Sequence, residues 1–329
     1  MVQIVTNVED LPRIKKLSIL STDQYLSVKS DDYGWFVDEN FIMPFFIDKK
    51  LVFRRLVITH APIKIDEALN DVDGEKEQTF VDDIITYLDK NNTIADYIEK
   101  AQANVVFNKY PQKANMIPWG TYLVDINKDD EQLLASFHTK HRNVIRKAIK
   151  DGCVVEKSTI EIVQECITST LKRQKVHAPS IDYYKKLKER IPENVGFYHV
   201  INDGKIDGVA LVIYDKISGY YMYGGSAEHH HTGSVNLLQY EIMKDLRDKG
   251  VMQYDLVGAR IIYEEGSKYE GIQRFKSRFS SKMLEGFSFN YILNPFKYKL
   301  FMLLVKTYGL FSGFKYTDTI SQTLKLMRN

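Results

Sequence analysis

The sequence predicts a mixed α/β (α+β) fold in two domains, each a mixed sheet flanked by helices. Three observations carry that prediction. The chain has 329 residues, enough for two domains of ordinary size. Both halves mix strand-like and helical runs in a broadly similar order. The stretch from Gly219 to Gly271 reads strand, polar turn, helix, strand: Gly219-Tyr220-Tyr221-Met222-Tyr223-Gly224-Gly225-Ser226, a His/Thr/Gly loop, a long amphipathic segment, then Tyr254-Asp255-Leu256-Val257-Gly258.

The elements follow in order. Strand-like runs are expected at residues 24–28, 33–37, 41–47 and 52–59, and Pro44 lies in the third. Helical runs follow at 77–90 and 93–100, punctuated by Asn91-Asn92, and a strand at 120–126. One helix is expected over 129–150: Asp129, Asp130 and Glu131 sit in its first turn, Arg146, Lys147 and Lys150 in its last, and Gly152 closes it. The second half opens with a strand at Val154-Val155. Helices follow at 160–172 and 181–190, the second capped by Ser180 after Pro179. Runs at 196–201, 209–214 and 219–224, joined by Asp203-Gly204 and Ser218-Gly219, predict a three-stranded antiparallel meander. Val235, Leu238, Ile242 and Leu246 form the apolar stripe of the next helix, which Gly250 ends. A last strand of the second half is expected at 285–293.

Composition bounds the function. Hydrophobic residues make up 44% and charged residues 27%, a globular composition. The net charge is +2, so no global field draws the chain to nucleic acid. Two cysteines, Cys153 and Cys166, form neither a disulfide framework nor a zinc pattern and fit a reducing cytosol. The first residues lack the basic and apolar regions of a signal peptide, and no apolar run would span a bilayer. These features predict a cytoplasmic protein. No metal ligand set is read from His229-His230-His231, because adjacent loop residues do not converge on one centre.

The strand–turn–helix–strand unit resembles the core of the acyl-CoA N-acyltransferase (GNAT-like) fold. There, small residues at a helix start let backbone N–H groups converge on a pyrophosphate. The residues aligned with that loop are His230, Gly233 and Val235; one glycine is kept, and a branched residue stands where a small one would admit phosphate. An ordinary βαβ turn without ligand reads equally well.

Four stretches resemble the Fem family, the transferases that build peptidoglycan cross-bridges. They are His141-Arg142-Asn143-Val144-Ile145-Arg146-Lys147-Ala148 with Gly152; Met222-Tyr223-Gly224-Gly225-Ser226; Asn236-Leu237-Leu238-Gln239-Tyr240 with the Tyr254–Gly258 run; and Gly271-Ile272-Gln273-Arg274-Phe275-Lys276-Ser277-Arg278-Phe279, which looks like the family's Gly-x-x-x-Phe-Lys-x-x-Phe signature. The family's long helical hairpin is absent, and Gly258-Ala259-Arg260 stands where Gly-Gly is expected. The resemblance implies two GNAT-like domains packed together: residues 1–152 with a returning 292–329 segment on the acceptor side, and 153–291 as the catalytic domain. It implies an aminoacyl-tRNA donor as co-substrate, no bound cofactor, and a lipid- or nucleotide-linked envelope precursor as acceptor.

It also implies roles. Lys276 is the catalytic cation expected to meet the charge that develops on the ester or its leaving ribose, standing exposed in a cleft; Phe275 would stack on a base. Surface charge and core packing are their ordinary alternatives. Asp255 either orients or deprotonates the amine or caps a turn. Arg142 and Arg146 either contact phosphates or answer the helix dipole. Tyr223, Ser226, Asn236 and Arg274 are substrate-binding candidates, and His230 and Gly233 would line the donor phosphates.

Residues 291–329 carry six bases (Lys297, Lys299, Lys306, Lys315, Lys325, Arg328) and one acid (Asp318), with a leucine-rich helix opening at Asn294-Pro295-Phe296. Such an end either packs on its own domain or lies on an anionic leaflet as a peripheral membrane contact. Two rival readings remain: an acyl-CoA-dependent N-acyltransferase acting on a nucleotide sugar or polysaccharide intermediate, and an inactive binding module of the same fold.

Overall fold

The computed structural model describes residues 1–14, 17–65, 74–312 and 318–328. Lys315 lies outside the described residues. The chain divides into two compact units: 1–121, 258–265 and 284–329 form the first, and 122–257 and 266–283 the second.

The first unit starts with β1 (Gln3–Val5), α1 (Asp23–Lys29), β2 (Tyr33–Val37), β3 (Phe41–Lys50), β4 (Phe53–Ile58) and β5 (Ile63–Lys64). β1 to β4 pair antiparallel in sequence order, and β5 lies antiparallel beside β3. Helix α2 (Gly74–Lys90) buries Phe80, Val81, Ile84 and Leu88 at helical spacing, and β6 (Tyr97–Ile98) runs parallel to β4. These faces share one core with Phe36, Phe41, Leu56 and Phe107. Each such buried side chain contributes roughly 1.5–3 kcal/mol before the entropy of ordering it.

Strand β7 (Asn115–Asp125) carries the chain into the second unit, where α3 (Asp130–Ser136), α4 (Thr139–Lys150), β8 (Val154–Lys157), α5 (Ile160–Arg173) and α6 (Ile181–Arg190) follow. Next come β9 (Val195–Asn202), β10 (Lys205–Tyr214), β11 (Ser218–Ser226), α7 (Ser234–Asp248) and β12 (Gln253–Asp255). β8, β9, β10 and β11 pair antiparallel in sequence order, β12 runs parallel to β11, and residues 123–125 of β7 close against β12. Helix α7 buries Leu237, Leu238, Ile242, Met243 and Leu246 over this sheet. The short strand β13 (Ala259–Arg260) pairs with Gly120 and Trp119 in the first unit. Helix α8 (Lys268–Ser277) belongs to the second. Strand β14 (Lys282–Ile292) then pairs with β6, and α9 (Pro295–Ser312) and α10 (Thr319–Arg328) end the first unit. Among the described residues no helix is long and apolar enough to cross a membrane.

The mixed α/β class and the antiparallel meander are as the sequence predicts. Six expectations are corrected. Residues 24–28 are helix, not strand: Thr22 Oγ1 accepts the Tyr25 N–H at 3.3 Å and nucleates α1. Residues 93–100 are not helical, because Arg54 N–H donates to Asp96 and Tyr97 pairs with Arg55 of β4. The expected 129–150 helix is two, because the His138 N–H donates to the Arg278 carbonyl at 2.9 Å and leaves the helical ladder. Ser180 stands at the α6 N-cap but makes no side-chain cap bond. The last strand joins the first unit's sheet through β6, rather than the second half's. Helix α4, placed with the first half by the sequence, lies within the second unit.

Candidate active site

Strands β11 and β12 pair only from Ser218↔Gln253 to Tyr220↔Asp255. β12 stops at Asp255 while β11 continues to Ser226. A register shift at Met222, between the pairs Leu211↔Tyr223 and Val212↔Tyr221, bends β11 at that point. The split places backbone groups of β11 beside the end of β12, where an extended acyl chain could lie along the strand.

Three residues meet at the end of β12. The Asp255 carboxylate is buried and its Oδ1 accepts the Val257 N–H at 2.7 Å. Val257 has φ of +50°, a left-handed conformation that a β-branched residue adopts only under strain of about 1–3 kcal/mol. The turn aims its carbonyl at Lys276, whose Nζ donates to it at 2.6 Å. Burial, opposed by the charge of Asp255, lowers the Lys276 ammonium to about 8. Lys276 is therefore a half-buried, desolvated cation rather than the exposed cleft lysine the sequence suggests.

A polar column stands behind the split. The Tyr254 hydroxyl donates to Gln239 Oε1 at 2.8 Å, both fully buried. The Tyr221 hydroxyl lies over Gly224, where a methyl group would collide with it. Burial pushes the Tyr221 phenol up to about 12, so it stays a neutral donor at physiological pH.

Phe275 and Lys276 are successive on α8 and so point about 100° apart. Phe275 lines a groove of about 460 Å³ between α4, α7 and α8, together with Asn236 and Arg274. Lys140 and Arg278 add two cations to that lining. The Phe275 ring packs edge-on against Phe279 at 5.1 Å and tilted against His141 at 5.5 Å. His141 is buried, and burial with the neighbouring Arg278 charge lowers it to about 4, which keeps it neutral. Arg274 pairs with Glu270 one turn earlier and is exposed.

The other predicted residues are placed differently. Arg142 donates to the carbonyls of Ala135 and Phe137, so its guanidinium caps the end of α3. Arg146 is exposed on α4. Tyr223 packs against Tyr183 with ring centroids 6.2 Å apart. The Ser226 N–H donates to Thr170 Oγ1 at 3.0 Å, and its carbonyl accepts from Thr170 and Arg173. His230 is exposed, and its neighbour His231 is the engaged histidine: its N–H donates to Asp207 and its Nε2 lies 2.9 Å from Asp151. Gly233 is the α7 N-cap with φ of +91°, and a methyl group there would collide with the Val144 carbonyl of α4. The glycine thus serves a close helix–helix approach. Val257, His141, Gln239 and Tyr221 lie within the stretches singled out in the sequence but are given no role there. Gln239 left one signal, a glutamine among the apolar residues of α7.

Comparisons with known proteins complete the description. The model of the FemAB family matches residues 66–201 and 204–306, well over half the chain. The lipid II:glycine glycyltransferase of Staphylococcus aureus is 23% identical over 256 residues, covering 56% of this chain and 61% of that protein. The chain thus spans less than two thirds of the length of the curated relatives it matches. A crystal structure of FemX aligns with a TM-score of 0.63 at 16% identity, covering 91% of this chain and 99% of that one. A conserved protein of unknown function from Bacteroides thetaiotaomicron aligns with a TM-score of 0.51 at 12% identity, covering 83% and 90%. At these identities the structural likeness shows a shared fold.

Proposed function

Because this chain belongs to the FemAB family, we propose that it is an acyltransferase that forms amide bonds, moving an aminoacyl group from aminoacyl-tRNA to an amine of a cell-envelope precursor. The Staphylococcus aureus relative is named for lipid II, and we carry over that acceptor class, a lipid- or nucleotide-linked peptidoglycan precursor. The reaction then runs in the cytoplasm, at the inner face of the membrane when the acceptor is lipid-linked.

The observation that carries the reading is the Lys276 ammonium held at 2.6 Å on the Val257 carbonyl beside Asp255, at the open end of β11 and β12. In the reaction the acceptor nitrogen attacks the ester carbonyl, forming the C–N bond and a tetrahedral oxyanion. That intermediate collapses by breaking the C–O bond to the ribose. The leaving oxygen takes the electron pair, and the proton lost by the amine ends on it, carried through substrate groups and water. A desolvated ammonium stabilises the oxyanion and the leaving oxygen more strongly than a solvated one. The buried Asp255 carboxylate fixes the Val257 turn through its N–H and helps keep Lys276 charged.

Two observations support a tRNA donor over coenzyme A. The Gly233 turn lies against the α4 backbone, where even a methyl group would meet the Val144 carbonyl, which leaves little room for a pyrophosphate on that side. The groove beside Phe275 combines an aromatic ring with Lys140, Arg274 and Arg278, a lining suited to the stacked base and phosphates of an RNA end. The test is transfer of a labelled amino acid from a charged tRNA pool to lipid II. Label should appear on the acceptor as an alkali-stable amide, and Lys276→Ala should slow its formation by about 10²- to 10³-fold, the range for loss of one oxyanion stabiliser. Unchanged turnover in Lys276→Ala would remove Lys276 from the mechanism.

A further inference from the structure

We propose that helix α9 and the tip of the β3–β4 hairpin form a docking surface for an anionic lipid bilayer. Helix α9 is apolar on two sides, and the fold uses one of them. Phe301 is buried against Phe53 and Tyr97, with ring centroids 5.3 and 5.5 Å away, and Met302 and Val305 join that cluster. The opposite side carries Phe296, Leu300, Leu303 and Phe311 at helical spacing. Leu303 is 61% exposed and Phe311 87%. A soluble helix places polar residues on that side.

The hairpin departs from expectation in the same way. Lys50 pairs with Phe53, so Leu51 and Val52 make a two-residue turn. Turns of this length favour Asn, Asp or Gly at the left-handed position. Leu51 occupies it with φ of +56° and is 91% exposed. A leucine there helps neither the turn nor solubility, and such conflicts between local rules and sequence mark functional positions. The hairpin and the start of α9 line one groove through Leu51, Val52 and Lys297.

Charge decides the occupant. Lys299 and Lys306 are exposed and lie seven residues apart, two turns, along one edge of the apolar stripe. Residues 291–329 hold six bases and one acid. Apolar side chains that reach acyl chains beneath a rim of lysines at headgroup level are the arrangement of an interfacial helix. A second copy of the chain would bring equal lysine rims together, which is unfavourable.

The test is co-sedimentation of the full chain with vesicles of phosphatidylglycerol and phosphatidylethanolamine, and with vesicles of phosphatidylcholine alone. The protein should pellet with the first and much less with the second. Leu303→Glu with Phe311→Glu should weaken binding about tenfold or more. Lys299→Glu with Lys306→Glu should weaken it too and flatten its salt dependence. All four side chains are exposed, so melting temperatures should hold, and the hairpin variant Leu51→Asn provides an independent second probe. A wild-type protein that stays in the supernatant overturns the proposal, as does equal pelleting of the Leu303/Phe311 variant. A concentration-dependent dimer abolished by Leu303→Glu, without vesicle binding, assigns the surface to a second copy instead. Vesicle binding needs no acyl donor, so it can fail while transfer stands, and the reverse.

Discussion

Lys276 is the centre of the proposed chemistry, and its charge state gives the sharpest residue-scale predictions. Its ammonium is lowered from 10.5 to about 8, so it is cationic at neutral pH and loses its proton near 8. A rate that needs the cation should therefore fall as pH rises through about 8. Lys276→Arg should recover part of the rate and abolish that alkaline fall, because a guanidinium does not titrate there but its planar fork fits a point-charge site poorly. A rate that rises through the same window would make Lys276 a base and refute the electrophile role. The same shift has a sign for stability. Between about 8 and 10.5 the unfolded chain binds a proton that the folded chain does not, so this group's contribution improves as pH rises across that window. Below it, burial of the ammonium is a standing cost. Lys276→Met should then melt no lower than wild type at neutral pH and higher if Val257 O is reached by water, while its turnover drops. Neighbouring Val257 was illegible in the sequence for a physical reason: a left-handed valine contradicts its own propensity, and only the fold around it holds it there.

At the scale of elements, the contact of α4 with α7 and α8 shapes the groove that Phe275 lines. Gly233→Ala should destabilise by roughly 3 kcal/mol or more, since the position is left-handed and its new methyl meets backbone rather than a movable side chain; an unchanged melting temperature would contradict the packing. His141 joins α4 to the turn after α8 through Phe279, with ring centroids 4.5 Å apart. It is lowered from 6.5 to about 4, so between those values the unfolded chain binds a proton that the fold refuses. Stability should fall as pH drops through that window, by on the order of 1–3 kcal/mol, and His141→Phe should flatten this limb of the pH–stability curve. Elements with a full amphipathic period were legible: α2, α6 and α7 lie close to where periodicity places them. Short runs were not. The residues 24–28 combine Tyr25, Leu26 and Val28, which favour a strand, and only the Thr22 cap tips them into α1. Residues 93–100 read as helix because nothing local reveals that β4 will recruit Tyr97 and Ile98. The break between α3 and α4 depends on a carbonyl of Arg278, distant in sequence, and so could not be seen in the residues at the break. The same holds for the candidate site: the motif residues Asp255 and Lys276 lie together at the end of β12, and Phe275 and Asn236 line one groove, whereas the buried Gln239 and Tyr221 are placed by packing that no motif expresses.

For the whole molecule, the proposed aminoacyl transfer starts from membership of the FemAB family, and the choice of donor is where that proposal can fail. Calorimetry with acetyl-CoA should show no binding tighter than about millimolar, roughly 4 kcal/mol. The most direct measurement offers one lipid II acceptor two donors in parallel, a charged tRNA pool and acetyl-CoA, and reads the acceptor by mass spectrometry. The account predicts an aminoacyl mass increment from the tRNA reaction, abolished by ribonuclease treatment of the donor, and an unmodified acceptor with acetyl-CoA. An acetylated acceptor, with no increment from charged tRNA, would contradict it and make the protein a coenzyme-A-dependent N-acyltransferase.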